Sequence, residues 1–270
     1  MNCKIHEECG VFGIFCRETS QVAKTAYYAL FALQHRGQES AGIVVNHDGV
    51  FSAYKDKGLV NDVFTSEILE KLGGGEIAIG HVRYSTTGLN QRENAQPIVV
   101  NHLKGNMAIA HNGNLVNSYE LRSRLENEGC IFHSTTDTEV IAYIITKERV
   151  RTRSIEEAVL AAMDVIKGAY SLVVMSPAKL IAVRDPHGFR PLVFGVREDG
   201  AHVVASESCA LNAIGAKFVR EIEPGEMVVI TKDGVKSDKS HCGGKRSLCE
   251  FEVFYTARRD SMLVGCYVHA

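Results

Sequence analysis

The chain has 270 residues, 45% of them hydrophobic and 23% charged, and a formal net charge of −2. That length and apolar content can bury a sizeable core, and the interspersed Lys, Arg, Asp and Glu leave no electrostatic footprint for nucleic acid or an anionic membrane. No run approaches the roughly 20 apolar residues of a membrane span, and the first residues lack the apolar centre of a signal peptide, so a cytoplasmic protein that meets small molecules or proteins is expected.

The predicted elements begin with an apolar strand over Gly10 to Cys16. Ser20 then opens a helix, Gln21 to Arg36, with Val22, Ala26, Leu30 and Leu33 at helical spacing and Gly37 as its stop signal. Strands follow at Gly42 to Asn46 and Val50 to Tyr54, joined by a hairpin signal across His47-Asp48-Gly49. Two further apolar runs, Ile77 to Tyr84 and Met107 to His111, end in polar clusters. Helices are expected over Ser118 to Glu128, Thr136 to Lys147 and Ser154 to Ile166, the last two opening with capping boxes, Thr136-x-x-Glu139 and Ser154-x-x-Glu157.

Beyond the helices the pattern returns to strands, separated by the turn signals Asp185-Pro186-His187-Gly188, Glu198-Asp199-Gly200, Glu223-Pro224-Gly225 and Lys232-Asp233-Gly234. Lys236 to Ser247 reads as a linker, and Leu248 to Tyr255 as one more strand. Short hairpin turns demand antiparallel pairing, so two sheets with helices packed outside fit better than a doubly wound parallel sheet.

The chemistry candidates lie at strand ends. Eight cysteines, Cys3, Cys9, Cys16, Cys130, Cys209, Cys242, Cys249 and Cys266, form no Cys-x-x-Cys pair, which argues against a zinc ribbon or a disulfide scaffold. Cys9 stands out because only eight residues precede it; if they were removed it would carry a thiol and a free α-amine, a nucleophile with its own base. On position alone a buried strand thiol is the stronger reading.

Asn112-Gly113 offers an amide and an unhindered backbone N–H side by side for a developing oxyanion, although taken alone a type I′ hairpin turn is the commoner use of Asn-Gly. Arg83 suits bidentate capture of a carboxylate; a sheet-edge salt bridge is an equal alternative. Asp137 at a helix start either complements the helix dipole or receives an ammonium group. Around His35-Arg36-Gly37-Gln38 the plain reading is a basic last turn with a glycine stop. There is no phosphate-loop motif, and the eleven histidines show no metal-ligand spacing.

Five ordered motifs together resemble the class II glutamine amidotransferase domain: Glu8-Cys9-Gly10-Val11-Phe12-Gly13-Ile14, Leu33-Gln34-His35-Arg36-Gly37-Gln38-Glu39, Gly80-His81-Val82-Arg83-Tyr84-Ser85-Thr86, His111-Asn112-Gly113-Asn114-Leu115 and Ser134-Thr135-Thr136-Asp137-Thr138-Glu139. Lys167-Gly168-Ala169-Tyr170, Asp185-Pro186-His187-Gly188-Phe189-Arg190-Pro191-Leu192 and Ala205-Ser206-Glu207-Ser208 resemble the purine-synthesis branch of that family, in which the ammonia serves phosphoribosylamine formation from phosphoribosylpyrophosphate.

The resemblance implies an α+β fold, a four-layer αββα N-terminal-nucleophile hydrolase sandwich with two mainly antiparallel sheets. It implies residues 1–8 as a propeptide, 9–235 as the amidotransferase domain, and 236–270 as a linker and the start of a phosphoribosyltransferase domain not contained in the sequence. Cys9 would attack L-glutamine, Asn112 and Gly113 would form the oxyanion hole, Arg83 and Asp137 would hold the α-carboxylate and α-amine, and Thr86, Arg36 and Gly37 would line the same pocket. A transferase domain or subunit would be the partner, and the resemblance also allows a homo-oligomer.

Cys249 matches the first of four thiolate ligands of a [4Fe-4S] cluster in one branch of the family; with four ligands the usual requirement, neither a cluster nor Mg2+ is expected on this chain alone. Arg259 stands where a proline is usual, which predicts a looser connection there. Two alternatives stay open: a non-catalytic or regulatory subunit of a separate transferase chain, and another class II amidotransferase, against which the eight-residue leader speaks.

Overall fold

The computed structural model describes residues 9–84, 91–247, 249–263 and 265–268. Strand β1 (Gly10–Ser20) leads into helix α1 (Val22–Ala32) and a 3₁₀ turn (Gln34–Arg36), followed by the β2 (Ser40–His47) and β3 (Val50–Lys57) hairpin. The expected hairpin turn is present, with Asp48 and Gly49 both at positive φ, 47° and 84°. Short helices α2 (Val60–Val63) and α3 (Ser66–Leu72) precede β4 (Gly75–Arg83). A second hairpin, β5 (Ile98–His102) and β6 (Gly105–Leu115), opens onto the helices α4 (Ser118–Asn127), α5 (Asp137–Arg151) and α6 (Ile155–Met163).

Strands β7 (Gly168–Ser176), β8 (Lys179–Arg184), β9 (Val193–Arg197) and β10 (His202–Ala205) follow. Helix α7 (Ser208–Ala213) and strands β11 (Ala216–Glu221), β12 (Met227–Thr231) and β13 (Gly234–Asp238) complete the sandwich.

One sheet has the order β11-β9-β10-β1-β4-β2-β3 and the other β13-β12-β8-β7-β6-β5. Every pairing in both is antiparallel. Side chains alternate between two buried faces. Phe12 and Ile14 of β1 pack with Ala78 and Val82 of β4 under α1, where Val22, Ala26, Leu30 and Leu33 meet them. Their neighbours Val11, Ile77 and Ile79 point the other way, into a layer shared with Ala108 and Ala110 of β6 and Val173 of β7.

On the far face of the second sheet, Met107, Ile109, Leu172 and Val174 pack against Leu125, Val140, Ile141, Ile145 and Val159 of α4 to α6. The architecture is therefore the expected four-layer αββα sandwich. Because both faces of both sheets are buried, central strands read as near-continuous apolar runs.

Three local expectations are corrected. Glu250 and Phe251 are helical and run into a π-helical turn over Glu252–Thr256, where a strand was expected (Leu248 lies outside the described residues). Glu252 and Thr256, four apart, are buried, while Phe251, Phe254 and Tyr255 are exposed. Helical spacing alone turns the carboxylate inward and leaves those aromatics outside.

The capping box at Thr136 does not form. Thr136 makes no side-chain cap bond, and Glu139 instead accepts from the backbone N–H groups of His133 and Ser134 at 2.9 and 2.7 Å. At Ser154 the cap is present, its hydroxyl accepting from Glu157 N at 3.3 Å. Gly37 is not a left-handed stop, since its φ is −158°. It is there for closeness: a Cβ would lie 2.6 Å from the Arg83 carbonyl carbon.

Candidate active site

The register brings the sequence candidates to one rim of the sandwich. Gly10 of β1 pairs with Val82 of β4, so Cys9 and Arg83 sit side by side one step further out. Both share strand parity with residues facing the inter-sheet layer, Val11 on β1 and Ile79 on β4. In the opposite sheet Asn112 shares parity with Ala108 and Ala110, which face the same layer. The thiol, the guanidinium and the amide thus arise from strand ends around the mouth of the gap between the sheets, and α5 adds Asp137 from its first turn.

A small cavity there is lined by Cys9, Arg83, Gln96, His111, Gly113, Thr136 and Asp137. Cys9 Sγ lies 3.4 Å from the carbonyl of Tyr84. Asn112 is completely buried, and neither its amide nitrogen nor its oxygen has a hydrogen-bond partner among the described residues. An unpaired buried amide costs about 1–3 kcal/mol, and Asn112 shares this condition with other buried groups, Ser40, Asn46 and Tyr170 among them.

Asn112 and Gly113 lie inside β6, paired with Ser171 and Tyr170, which removes the hairpin-turn reading. Gly113 has φ +143°, and a Cβ there would fall 2.0 Å from the Ala169 carbonyl oxygen; only glycine permits this approach.

Arg83 is buried on a central strand, between β1 and β2, with Nη1 3.6 Å from Glu39 Oε2. Arg83 is therefore not at a sheet edge, but the salt bridge of the plainer reading is present. Asp137 Oδ2 accepts from Leu115 N at 2.9 Å, and Oδ1 lies 3.4 Å from His111 Nδ1. Burial alone would push the Asp137 carboxyl up, but His111 and the backbone N–H donors outweigh it and hold it below the usual carboxylate range.

His111 serves three elements. Its N–H donates to Gln96 Oε1 at 2.8 Å, its carbonyl accepts from His81 Nε2 at 3.0 Å, and its ring meets Asp137 and Thr138. Burial, with Arg83 nearby, drives the fully buried His81 down to about 3, so it is neutral.

Arg36 departs from expectation. Its guanidinium does not face the cavity but lies behind Cys9, fully buried, with Nη1 on Glu207 Oε1 (2.5 Å), Nη2 on Glu252 Oε1 and Oε2 (2.8 and 2.9 Å) and Nε on the Cys9 carbonyl (3.0 Å). Gly37 packs on the Arg83 backbone. Thr86 and residues 1–8 lie outside the described residues. Sequence reasoning assigned nothing to Glu207, Glu252, His111 or Gln96, although Glu207 and His111 fall within quoted motifs.

Among the described residues one trio could gather a metal: ligand atoms of His35, Glu207 and Cys209 lie within 4.8 Å of one another. Glu207 is already taken by Arg36, and burial pushes the Cys209 thiol up to about 12; this donor set is a hydrogen-bond cluster. Cys249 belongs to no such group among the described residues. A larger cleft between β5 and α5, lined by Lys55, Asn101, His133 and Tyr143, and another at the opposite end of the sandwich around Glu76 and Asp233, contain none of the predicted site residues.

Comparison with known proteins gives a consistent result. Residues 81–213 match a glutamine amidotransferase domain model. The chain is 48% identical to an amidophosphoribosyltransferase from Synechocystis sp. over 96% of its own length and 53% of the relative's. It is 47% identical to that of Methanocaldococcus jannaschii over 97% and 58%.

Among solved structures, the glutamine phosphoribosylpyrophosphate amidotransferase from B. subtilis complexed with ADP and GMP superposes with a TM-score of 0.88 at 42% identity, over 97% of this chain and 55% of that one. A glutamine aminotransferase class-II domain protein from Silicibacter pomeroyi, at 13% identity and TM-score 0.53, shares the fold. The chain spans about half the length of the curated relatives it matches. No described helix is long and apolar enough to cross a membrane. With these identities sustained along nearly all of its length, the chain belongs to the amidophosphoribosyltransferase family and represents the glutamine amidotransferase part of it.

Proposed function

We propose that this chain hydrolyses the side-chain amide of L-glutamine, with Cys9 as nucleophile after removal of residues 1–8. The observation that carries the reading is the convergence of Cys9, Arg83, Gly113 and Asp137 on one cavity, with Asn112 next to Gly113 in β6. An α-amine and a thiol have ordinary pKa values of about 8 and 8.5, so near neutrality the amine takes the thiol proton. The thiolate adds to the carboxamide carbon, the amide N–H of Asn112 and the backbone N–H of Gly113 receive the oxyanion, and the amine returns its proton to the departing nitrogen. Ammonia leaves a γ-glutamyl thioester, and water releases glutamate and the thiol.

In this reading the buried Arg83 pairs with the substrate carboxylate and the ionised Asp137 with its ammonium. Thr86 joins them, and the Arg36-Gly37 turn contributes backbone. The relatives' names support a further step in which the ammonia passes to a phosphoribosyltransferase domain or subunit acting on phosphoribosylpyrophosphate, in the cytoplasm or an equivalent aqueous compartment. Any [4Fe-4S] cluster that uses Cys249, and any Mg2+, belongs with that partner.

The test is direct. Intact mass of the active protein should begin at Cys9, and Cys9→Ala should abolish glutamate release while leaving the circular dichroism spectrum and melting temperature close to wild type. Retained glutaminase activity in that variant would falsify the assignment.

A further inference from the structure

Two quoted motifs have no role in the hydrolysis as described, Asp185 to Leu192 and Ala205-Ser206-Glu207-Ser208, and both converge behind Cys9. Ser206 follows β10 and clasps the start of β1: its N–H donates to the Val11 carbonyl at 3.0 Å, and its hydroxyl accepts from Val11 N at 2.9 Å. Glu207, with no exposed surface, accepts from Arg36, from His35 Nε2 at 2.9 Å, from the Ser261 hydroxyl at 2.7 Å and from Arg258 N at 3.0 Å. Ser208 accepts from Met262 N at 2.8 Å. Arg190 Nη1 reaches Glu252 Oε1 at 3.3 Å.

Cys9 itself stands outside the ladder, since the first pair of β1 with β4 is Gly10 with Val82. Its carbonyl is held by Arg36 Nε. That planar guanidinium is fixed along its other edges by Glu207 and Glu252, so it has no freedom to turn. Fixing the carbonyl holds the Cys9–Gly10 peptide plane, and with it the position of the Cys9 Cα from which the thiol and the α-amine project.

We propose that Arg36 is a positioning residue for the nucleophile and that Glu252, supplied by the C-terminal segment, is the support on which it depends. Residues 250–263 are then a component of the glutaminase site and not a linker. The inference rests on Cys9 being the nucleophile. Displacements of an ångström in an attacking atom cost up to about 10²-fold in rate, whereas Arg83 and Asp137, which hold substrate in this reading, do not touch Glu252 in any bond described above.

The experiment compares the full wild-type chain with Glu252→Gln and Glu252→Asp, measuring kcat and KM for L-glutamine hydrolysis alongside the unfolding midpoint. Loss of the charge in Glu252→Gln should lower kcat about tenfold or more with KM within about twofold, and Glu252→Asp should recover part of the loss. Should Glu252→Gln fail to fold, Glu252→Asp, which keeps the charge and retracts it by one methylene, carries the same kcat-against-KM criterion. A folded variant with wild-type kcat, or a loss expressed wholly in KM, overturns the positioning role alone. An inactive wild-type chain overturns the glutaminase reading and this inference with it.

Discussion

Two polar side chains near the site are fully buried, Asn112 next to the cavity-lining Gly113 and Arg36 behind Cys9, and the fold treats them in opposite ways. In β6, Asn112 has neither amide atom paired among the described residues. On the other side each nitrogen of Arg36 is engaged, by Glu207, Glu252 and the Cys9 carbonyl. Burial is equal; satisfaction is not. The Arg36 guanidinium, held on every nitrogen, fixes geometry, whereas the Asn112 amide has no such hold on its orientation.

The strongest way to break that contrast is on the saturated side. Removing one partner of a buried ion pair leaves an uncompensated charge and costs about 3–5 kcal/mol. Glu207→Ala should therefore lower the urea unfolding free energy by that order, and a loss below about 1 kcal/mol would mean that the pair behaves as an exposed one. On the unsaturated side Asn112→Ala should leave stability unchanged or slightly raised. It should reduce kcat by about 10²-fold or more, as for other oxyanion donors. If stability fell instead and turnover held, Asn112 would be a structural residue.

Asp137→Asn is expected to act more weakly, raising KM for glutamine on the order of tenfold, the value of one lost charge-assisted contact of about 1.4 kcal/mol. Because burial, opposed by His111 and backbone donors, leaves the folded-state carboxyl depressed, Asp137 contributes stability above its unfolded pKa and loses it as pH falls through the folded one.

A further effect, confined to acid pH, is a tilt in stability from His81. Burial pushes it down to about 3 in the fold, while in the unfolded chain it titrates near about 6.5. Between those values the unfolded state binds more protons, so stability falls as pH drops below about 6.5. Chemical unfolding of His81→Gln at a series of pH values should show a shallower acid limb.

Much of the sandwich was legible because its signals are local. The β2–β3 turn, the Ser154 cap and the helical middle each depend on a few adjacent residues. Ordered motifs named Cys9, Asn112, Gly113 and Asp137 together, even where single residues favoured plainer readings, and Cys9, Gly113 and Asp137 line one cavity; the strand pairing of Asn112-Gly113 is a tertiary fact that a dipeptide cannot carry.

The support behind Cys9 was not legible, because Arg36 meets partners 171 and 216 positions away in the chain. Nor was the helical tail. The aromatic-rich run Phe251 to Tyr255 has strand propensity, and only the burial of Glu252 against two arginines settles its conformation.

Gly37 shows how a residue with no side chain governs one with a long one. Its Cα rests against the main chain of Arg83 so closely that a methyl group would sit 2.8 Å from the Arg83 nitrogen and 2.8 Å from its carbonyl oxygen. Under the substrate role proposed for Arg83, glutamine affinity is tied to mutational tolerance at a neutral, featureless position. In a saturation screen scored on glutamine affinity, column 37 should be as empty as a catalytic column, although nothing at that position carries a functional group.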